Sequence, residues 1–172
     1  MPVLAVTVIG DDRPGIVADL TSALADLGAN LEDSTMTLLR GHFAMVVLAR
    51  SGATLAEVEA ALAPLGASGA LSVDVRALPD PGPVGALGRP WSLQVHGADR
   101  PGIVAAITRV IAAHGGNIVN LGTRFGTDLY VLSAEVELPA TADVTAVVDD
   151  LSRTAASLGV KVSFDHLDDD VL

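Results

Sequence analysis

The feature of this sequence that most limits its fold is an internal repeat. When the chain is shifted by 87 residues, segment 8–18 falls on segment 95–105 with nine of eleven positions identical. The same register continues without a gap to three further pairs, which are Gly28 with Gly115, Asn30 with Asn117, and Phe43 with Tyr130. A repeat of this length is the signature of a duplicated structural unit. Each half is therefore predicted to fold into the same small domain.

The two copies are separated by a segment that is unsuited to regular structure. Residues 78–90 contain four prolines and three glycines, which cannot continue a helix or a central strand. We therefore predict a first domain over 1–78, a linker over 79–90 and a second domain over 91–172.

Each repeat has the same order of hydrophobic periods. Residues 91–97 alternate between apolar and polar side chains, which is typical of a strand, and Ile103, Ile107 and Ile111 then recur at helical spacing. In the first repeat, Leu4, Val6 and Val8 show the same strand pattern, and Ile16, Leu20 and Leu24 the same helical spacing. Residues 54–57 resemble a capping box that opens a second helix over 54–65. The remaining predicted elements are strands at 30–39, 42–50, 117–125 and 128–137, a helix at about 142–158, and final strands at 71–75 and 160–164. The βαββαβ order predicts two α+β, ferredoxin-like domains, each an antiparallel sheet with two helices on one face.

Composition excludes several classes of function. The chain has 21 acidic and 10 basic residues, and the net charges of 1–78 and 91–172 are −5 and −6, so neither half attracts a phosphate backbone and direct nucleic-acid binding is disfavoured. The absence of cysteine excludes disulfides, cysteine-ligated metals and thiol nucleophiles. The four histidines have no metal-binding spacing, and no apolar run approaches the roughly 20 residues that a membrane span needs. We expect a cytoplasmic protein without membrane attachment, metal or cofactor.

The most specific motif lies between the first strand and the first helix of each repeat. It reads Gly-Asp-Asp-Arg-Pro-Gly at 10–15 and Gly-Ala-Asp-Arg-Pro-Gly at 97–102. Pro14 and Pro101 suit the first turn of a helix, and the glycine that follows leaves the backbone open to approach. The free amides and positive dipole end of a helix favour a carboxylate or phosphate. The motif thus indicates either a small anionic ligand or only a well-capped helix.

Two further polar positions have two interpretations each. Asp12 and Asp99 could cap the helix amides or face a ligand ammonium group. Asn30 and Asn117 follow the first helix, where an asparagine side chain suits an amino-acid ligand but also tolerates the left-handed geometry of a turn.

The element order, the motif Asp-Arg-Pro-Gly-Ile-Val and the later Gly-x-Asn together resemble the ACT domain, a regulatory module that binds amino acids. Two such modules joined by a short linker resemble the family of the glycine cleavage system transcriptional repressor. In ACT domains the effector typically lies between paired domains. The resemblance implies these ligand-binding positions: Asp12, Arg13, Gly15, Ile16 and Asn30, with Asp99, Arg100, Gly102, Ile103 and Asn117 in the second copy.

This resemblance implies a non-catalytic regulator that binds a small amino acid, with glycine or serine favoured, and acts through a protein partner. It also implies a homodimer. The second copy is favoured as the binding site because Asp11 becomes Ala98 there and Ala29 becomes Gly116, which gives less negative charge and more backbone room. The alternatives are a scaffold that binds partners without an effector and, with less support, an enzyme with a site inside the modules.

Overall fold

The chain was studied as a computed structural model that describes residues 3–79, 88–126 and 129–167. It divides into two compact units, Met1–Pro83 and Val84–Leu172. Most of the predicted linker, and the first residue of the strand predicted at 128–137, lie outside the described residues. The domain boundaries proposed from the sequence therefore stay a prediction.

The first unit has the predicted βαββαβ order. Its elements are β1 (Val3–Asp11), α1 (Ile16–Asp26), β2 (Asn30–Leu39), β3 (His42–Arg50), α2 (Leu55–Gly66) and β4 (Leu71–Leu78). The strands form one antiparallel sheet in the order β2-β3-β1-β4. The strand β4 extends beyond the predicted 71–75 because its pairing with β1 continues to Leu78 opposite Val3.

The second unit repeats this order. Its elements are β5 (Arg89–Gly97), α3 (Ile103–Ala113), β6 (Asn117–Phe125), β7 (Tyr130–Leu138), α4 (Val144–Leu158) and β8 (Val160–His166). The sheet order is β6-β7-β5-β8, again antiparallel. The predicted ferredoxin-like fold is confirmed in both units.

The strand β5 begins at Arg89, inside the segment predicted to be irregular. Pro90 is tolerated because the N–H and C=O of one residue point to the same side of an antiparallel strand. The Pro90 carbonyl accepts a hydrogen bond from the Leu167 amide at 3.1 Å, which lies beyond the last β5–β8 pair, Trp91 with His166. The missing N–H therefore removes no bond to β7.

The helices of each unit pack against each other on one face of the sheet, as predicted. In the first unit, alternate residues of β1 meet the buried face of α1 in a continuous apolar core, and the second unit has a matching core. Leu20 and Leu24 of α1, like Ile107 and Ile111 of α3, are fully buried. Each helix buries one stripe of its surface against one face of the sheet. The apolar residues therefore recur about every 3.6 residues in the helices and every two residues in the strands.

The first helix of each unit begins later than the sequence suggested. The N-caps are Gly15 and Gly102, with φ of 90° and 92°, so Pro14 and Pro101 precede the helix and do not lie in its first turn. The expectation for the prolines was wrong. Positive φ is a region that glycine enters without strain, and it allows the chain to turn sharply from the loop into the helix. Glycine is therefore required here by the backbone itself.

The second helices are capped by side chains. Thr54 and Glu57 form the predicted capping box of α2, in which the Thr54 hydroxyl accepts from the Glu57 amide and the Glu57 carboxylate accepts from the Thr54 amide at 2.7 Å. Asp143 caps α4 by accepting from the Ala146 amide at 3.2 Å. The helix predicted from about 142 therefore starts at Val144.

Candidate functional site

The loop between β1 and α1 is held by backbone hydrogen bonds. The Asp11 amide donates to the Ala70 carbonyl at 3.0 Å, and the Asp12 amide donates to the Gly41 carbonyl in the β2–β3 turn at 3.3 Å. Gly10 allows this approach, because a Cβ at that position would lie 2.0 Å from the Ala70 oxygen. The loop thus has a defined path at the sheet end where β1 finishes.

The amides at the start of α1 and α3 have no side-chain cap. The first intrahelical bonds run from Asp19 to the Gly15 carbonyl and from Ala106 to the Gly102 carbonyl, which leaves the amides of the preceding three residues without a hydrogen-bond partner in the described parts of the chain. The interpretation of Asp12 and Asp99 as caps is therefore wrong. Around Gly102 the space is open, since a Cβ there would meet no atom within 4 Å.

The motif arginines differ between the repeats. Arg13 Nη2 lies 2.9 Å from Asp19 Oδ2, and its Nη1 donates to the Pro14 carbonyl at 3.2 Å. The position that corresponds to Asp19 in the second repeat is Ala106, so Arg100 lacks this partner. Its guanidinium instead lies about 3.5 Å from where a Cβ at Gly159 would be, at the end of α4. The charge of Arg13 is neutralised locally, whereas no ion pair is formed by Arg100 within the described ranges.

A tyrosine that the sequence reasoning did not include lies beside the second loop. Burial raises the pKa of the Tyr130 phenol, the charge of Asp99 raises it further, and a hydrogen bond with Thr123 lowers it in part. The corresponding residue of the first repeat, Phe43, is buried in the core. The available signal was the change from Phe to Tyr between two otherwise matched repeats.

The isoleucines of the motif are core residues. Ile16 and Ile103 are each 1% exposed and pack with the strands beneath the helix. Their side chains cannot reach a ligand outside the fold. Only their backbone amides, at the first helical position, face the open end of the helix.

The motif asparagines lie far from the loop of their own unit. Asn30 pairs with Arg50, which in turn pairs with Val3 at the start of β1, whereas the loop follows Asp11 at its end. Eight residues of strand separate these positions, which corresponds to roughly 26 Å at about 3.3 Å per residue. The second unit has the same arrangement, since Asn117 pairs with Glu137 and Glu137 with Pro90. One unit therefore does not bring its own loop and asparagine together.

Two surface grooves lie away from the loops. One, of about 490 Å³, runs between α2 and β4, and the other, of about 450 Å³, runs between α3 and α4. Among the described residues no group of three metal-ligating side chains converges. Nor does any helix in those ranges have both the length and the apolar composition that crossing a membrane requires.

The sequence is similar to several known proteins. It is 30% identical over 150 residues to the glycine cleavage system transcriptional repressor of Escherichia coli, an alignment that covers 85% of this chain and 77% of that protein. It is also 63% identical over 43 residues to a UPF0237 protein of Methanopyrus kandleri, which covers 25% of this chain and 48% of that relative. The second match thus spans about half of that relative's length.

The fold is similar to that of an unknown protein from Galdieria sulphuraria. The two chains superpose with a TM-score of 0.80 at 33% identity, over 97% of this chain and 99% of the other. The family model of the ACT domain matches residues 3–76 and 93–165, which are the two repeats. With the βαββαβ order present in both units, this chain belongs to the ACT-domain family as a protein with two ACT domains in tandem.

Proposed function

We propose that the chain is a non-catalytic regulator that binds a small amino acid at its ACT loops and transmits this to a protein partner. The observation that carries the proposal is the duplicated loop with an uncapped helix start and a glycine at positive φ. Such a helix end offers several backbone amides to one carboxylate. Glycine and L-serine are the favoured effectors because the relative from Escherichia coli is named for the glycine cleavage system.

A complete effector site requires two ACT units. Because the loop and the asparagine of one unit lie at opposite ends of its sheet, a ligand that contacts both must take the asparagine from a second unit. The edge strand β2 supports this arrangement, since its last residue, Leu39, lies at the loop end opposite His42. An ACT unit paired antiparallel along such an edge would bring the start of its own second strand beside that loop.

The second loop is the better candidate for the effector. Arg13 is already paired with Asp19, whereas Arg100 has no carboxylate partner among the described residues. Tyr130 adds a hydroxyl group near Asp99. In this proposal the α-carboxylate meets the helix amides after Gly102, and Asp99 pairs with the ammonium group. Asn117 from the second ACT unit of another copy of the chain completes the polar contacts.

The proposed partner is a protein, and the setting is a cytoplasmic homodimer. The net charge of −11 disfavours direct contact with DNA, so a role in transcription would act through a DNA-binding protein. Sequence-specific retardation of DNA by the purified chain alone, at physiological salt, would defeat this part of the proposal. Effector and partner binding should be coupled by about 1–3 kcal/mol, in both directions.

Calorimetry with glycine, L-serine and the other standard amino acids tests effector binding. Gly102→Val should abolish binding, because a branched side chain at positive φ distorts the helix start and blocks the amides. Asn117→Ala should weaken it by roughly 1–3 kcal/mol. Gly15→Val and Asn30→Ala are the matched controls, and their smaller effects would assign the site to the second loop.

Two outcomes contradict the proposal. If no amino acid binds the wild-type chain at millimolar concentration, a scaffold that acts without an effector replaces it. If an amino acid binds and both second-repeat variants bind it equally well, the ligand lies elsewhere.

A further inference from the structure

Within the described residues, the outer edge of β4 pairs with no other strand, and its backbone groups are arranged for strand addition. β4 is the last strand in the order β2-β3-β1-β4. The Asp11 amide bonds to the Ala70 carbonyl, and the register continues unbroken along β4, so every second residue from Ala70 turns its N–H and C=O toward β1. The alternate residues Leu71, Val73, Val75 and Ala77 therefore turn theirs outward. An exposed edge of this kind is a template for another strand.

We propose that β4 pairs antiparallel with β4 of a second copy of this chain, about a two-fold axis at Val75. In this register Val75 lies opposite Val75 of the partner subunit, and Val73 lies opposite the partner's Ala77. All of these are residues whose backbone groups turn outward, so the hydrogen bonds can form. If the register shifted by one residue, residues whose N–H and C=O turn outward would lie opposite residues whose N–H and C=O turn toward β1, and these hydrogen bonds could not form.

The charges of β4 are complementary in the same register. Asp74 and Arg76 flank Val75 on the sheet face away from the helices, and their side chains are 54% and 75% exposed. Within the strand, Arg76 Nε lies 2.7 Å from Asp74 Oδ2. The two-fold axis places Asp74 opposite the partner's Arg76, and Arg76 opposite the partner's Asp74. Opposite charges directly across two strands stabilise their pairing. The strand is therefore self-complementary in both backbone and charge.

The groove beside β4 can receive the partner strand. It has a volume of about 490 Å³. On the helix side it is bordered by Glu59, Leu62 and the small residues Ala63, Gly66 and Ala67, and on the strand side by residues that include Val73 and Val75. Side chains directly opposite across an antiparallel pair share a face of the sheet. Val75 and Ala77 of the partner strand would thus enter this groove, and the small helix residues leave room for the partner's α2.

Two other sheet edges, β2 and β8, are less suited to pairing with a copy of themselves. β2 carries Glu32 and Asp33 without a basic residue, and a bulge interrupts it between Leu31 and Asp33. On β8, Lys161 and Asp165 are also opposite in charge. There, however, Trp91 stacks on Phe164 at 5.0 Å between ring centroids, and both rings pack against the core of the second unit. The α2–β4 corner combines complementary charge with a groove.

Charge reversal tests the proposal on the full-length chain by sedimentation equilibrium. The wild type should dimerise, and Asp74→Arg or Arg76→Asp should each weaken self-association by about tenfold or more, since each places two like-charged pairs across the interface. An equimolar mixture of the two variants should form a heterodimer, detectable by native mass spectrometry. Neither variant in the mixture regains the ion pair within its own strand. Recovery of dimerisation therefore reports only the contact between chains.

Two further variants complete the test. Ala63→Arg should weaken dimerisation by filling the groove from the exposed side of α2, with no change in the circular dichroism spectrum. Lys161→Asp on β8 is the matched control and should leave the dimer intact.

Any of three results would overturn the proposal: a wild-type chain that stays monomeric at its highest soluble concentration, single variants that dimerise as tightly as the wild type, or loss of the dimer in Lys161→Asp alone. This contact lies on a different sheet edge from the pairing of ACT units proposed for the effector site. It does not depend on effector binding, because calorimetry and sedimentation report the two separately.

Discussion

His114 Nε2 lies 2.8 Å from Asp150 Oδ2, which joins the end of α3 to the middle of α4. The histidine is the C-cap residue of α3 and is mostly buried, with 19% of its side chain exposed. Arg153 contacts the other oxygen of the same carboxylate. Asp150 is therefore a shared acceptor, and its contact with His114 links the two helices.

This contact makes the stability of the second unit depend on pH. The hydrogen bond with His114 is the main cause that lowers the pKa of Asp150 below its ordinary value of 3.8, burial opposes it, and Arg153 adds to the lowering. A carboxyl group whose pKa is lowered by folding stabilises the fold above its unfolded pKa, and this contribution is lost as the pH falls through the folded value. Asp150→Asn should therefore lower the free energy of unfolding at neutral pH, with a difference that shrinks below pH 3.8.

Urea denaturation at a series of pH values measures this effect. Asp149→Asn is the matched control, because Asp149 is the exposed neighbour on the same helix. A difference between Asp150→Asn and the wild type that stays constant through the acid range would contradict the assignment.

Replacement of the N-cap glycine should destabilise the first unit. Gly15→Ala should cost about 1–2 kcal/mol, because a residue with a Cβ is strained at positive φ. The same substitution at Gly52, where φ is not positive and a Cβ would meet no atom within 4 Å, should be neutral or slightly stabilising. Chemical denaturation of both variants checks this, and equal effects would show that backbone strain is not the reason for the glycine.

The capping box of α2 should contribute measurably to stability. Thr54→Ala should cost about 1 kcal/mol, because it removes the acceptor of the Glu57 amide. Thr21→Ala in α1 is the control, since its hydroxyl donates back to the Val17 and Ala18 carbonyls within the helix and alanine is the better helix former there. The melting temperature of Thr54→Ala should therefore be lower than that of both the control and the wild type.

Trp91→Phe should be tolerated despite the loss of a large side chain. The indole Nε1 of Trp91 is buried and has no hydrogen-bond partner in the described structure, so the change removes an unsatisfied donor while a ring remains to stack on Phe164. We expect a change in stability within about 1 kcal/mol, against about 2–5 kcal/mol for Leu93→Ala in the adjacent core. Unfolding should be followed by circular dichroism and not by tryptophan fluorescence, because Trp91 is the only tryptophan of the chain and the variant has none. A loss as large as that of Leu93→Ala would mean that the indole N–H is satisfied in solution.

Local patterns were sufficient to predict most of the fold. The strands β2 and β3 have the predicted bounds, and the capping box at Thr54 begins a helix as expected, because alternation, helical spacing and caps act over a few neighbouring residues. The prediction failed at Pro14 and Pro101, where the same residue sequence is compatible with two conformations. A proline suits the first helical turn but equally suits the loop before it, and only the positive φ of the next glycine distinguishes them.

The sequence by itself determined the duplication, the ACT family and the motif positions, because these follow from the order of residues along the chain. Only the tertiary structure decided which of those positions are neighbours. It separated Asn30 from the loop of its own unit, buried Ile16, and brought Tyr130 beside Asp99 across some thirty residues of chain. The physical reason is that strand pairing and register set distances between remote segments, and register depends on contacts that no local pattern contains.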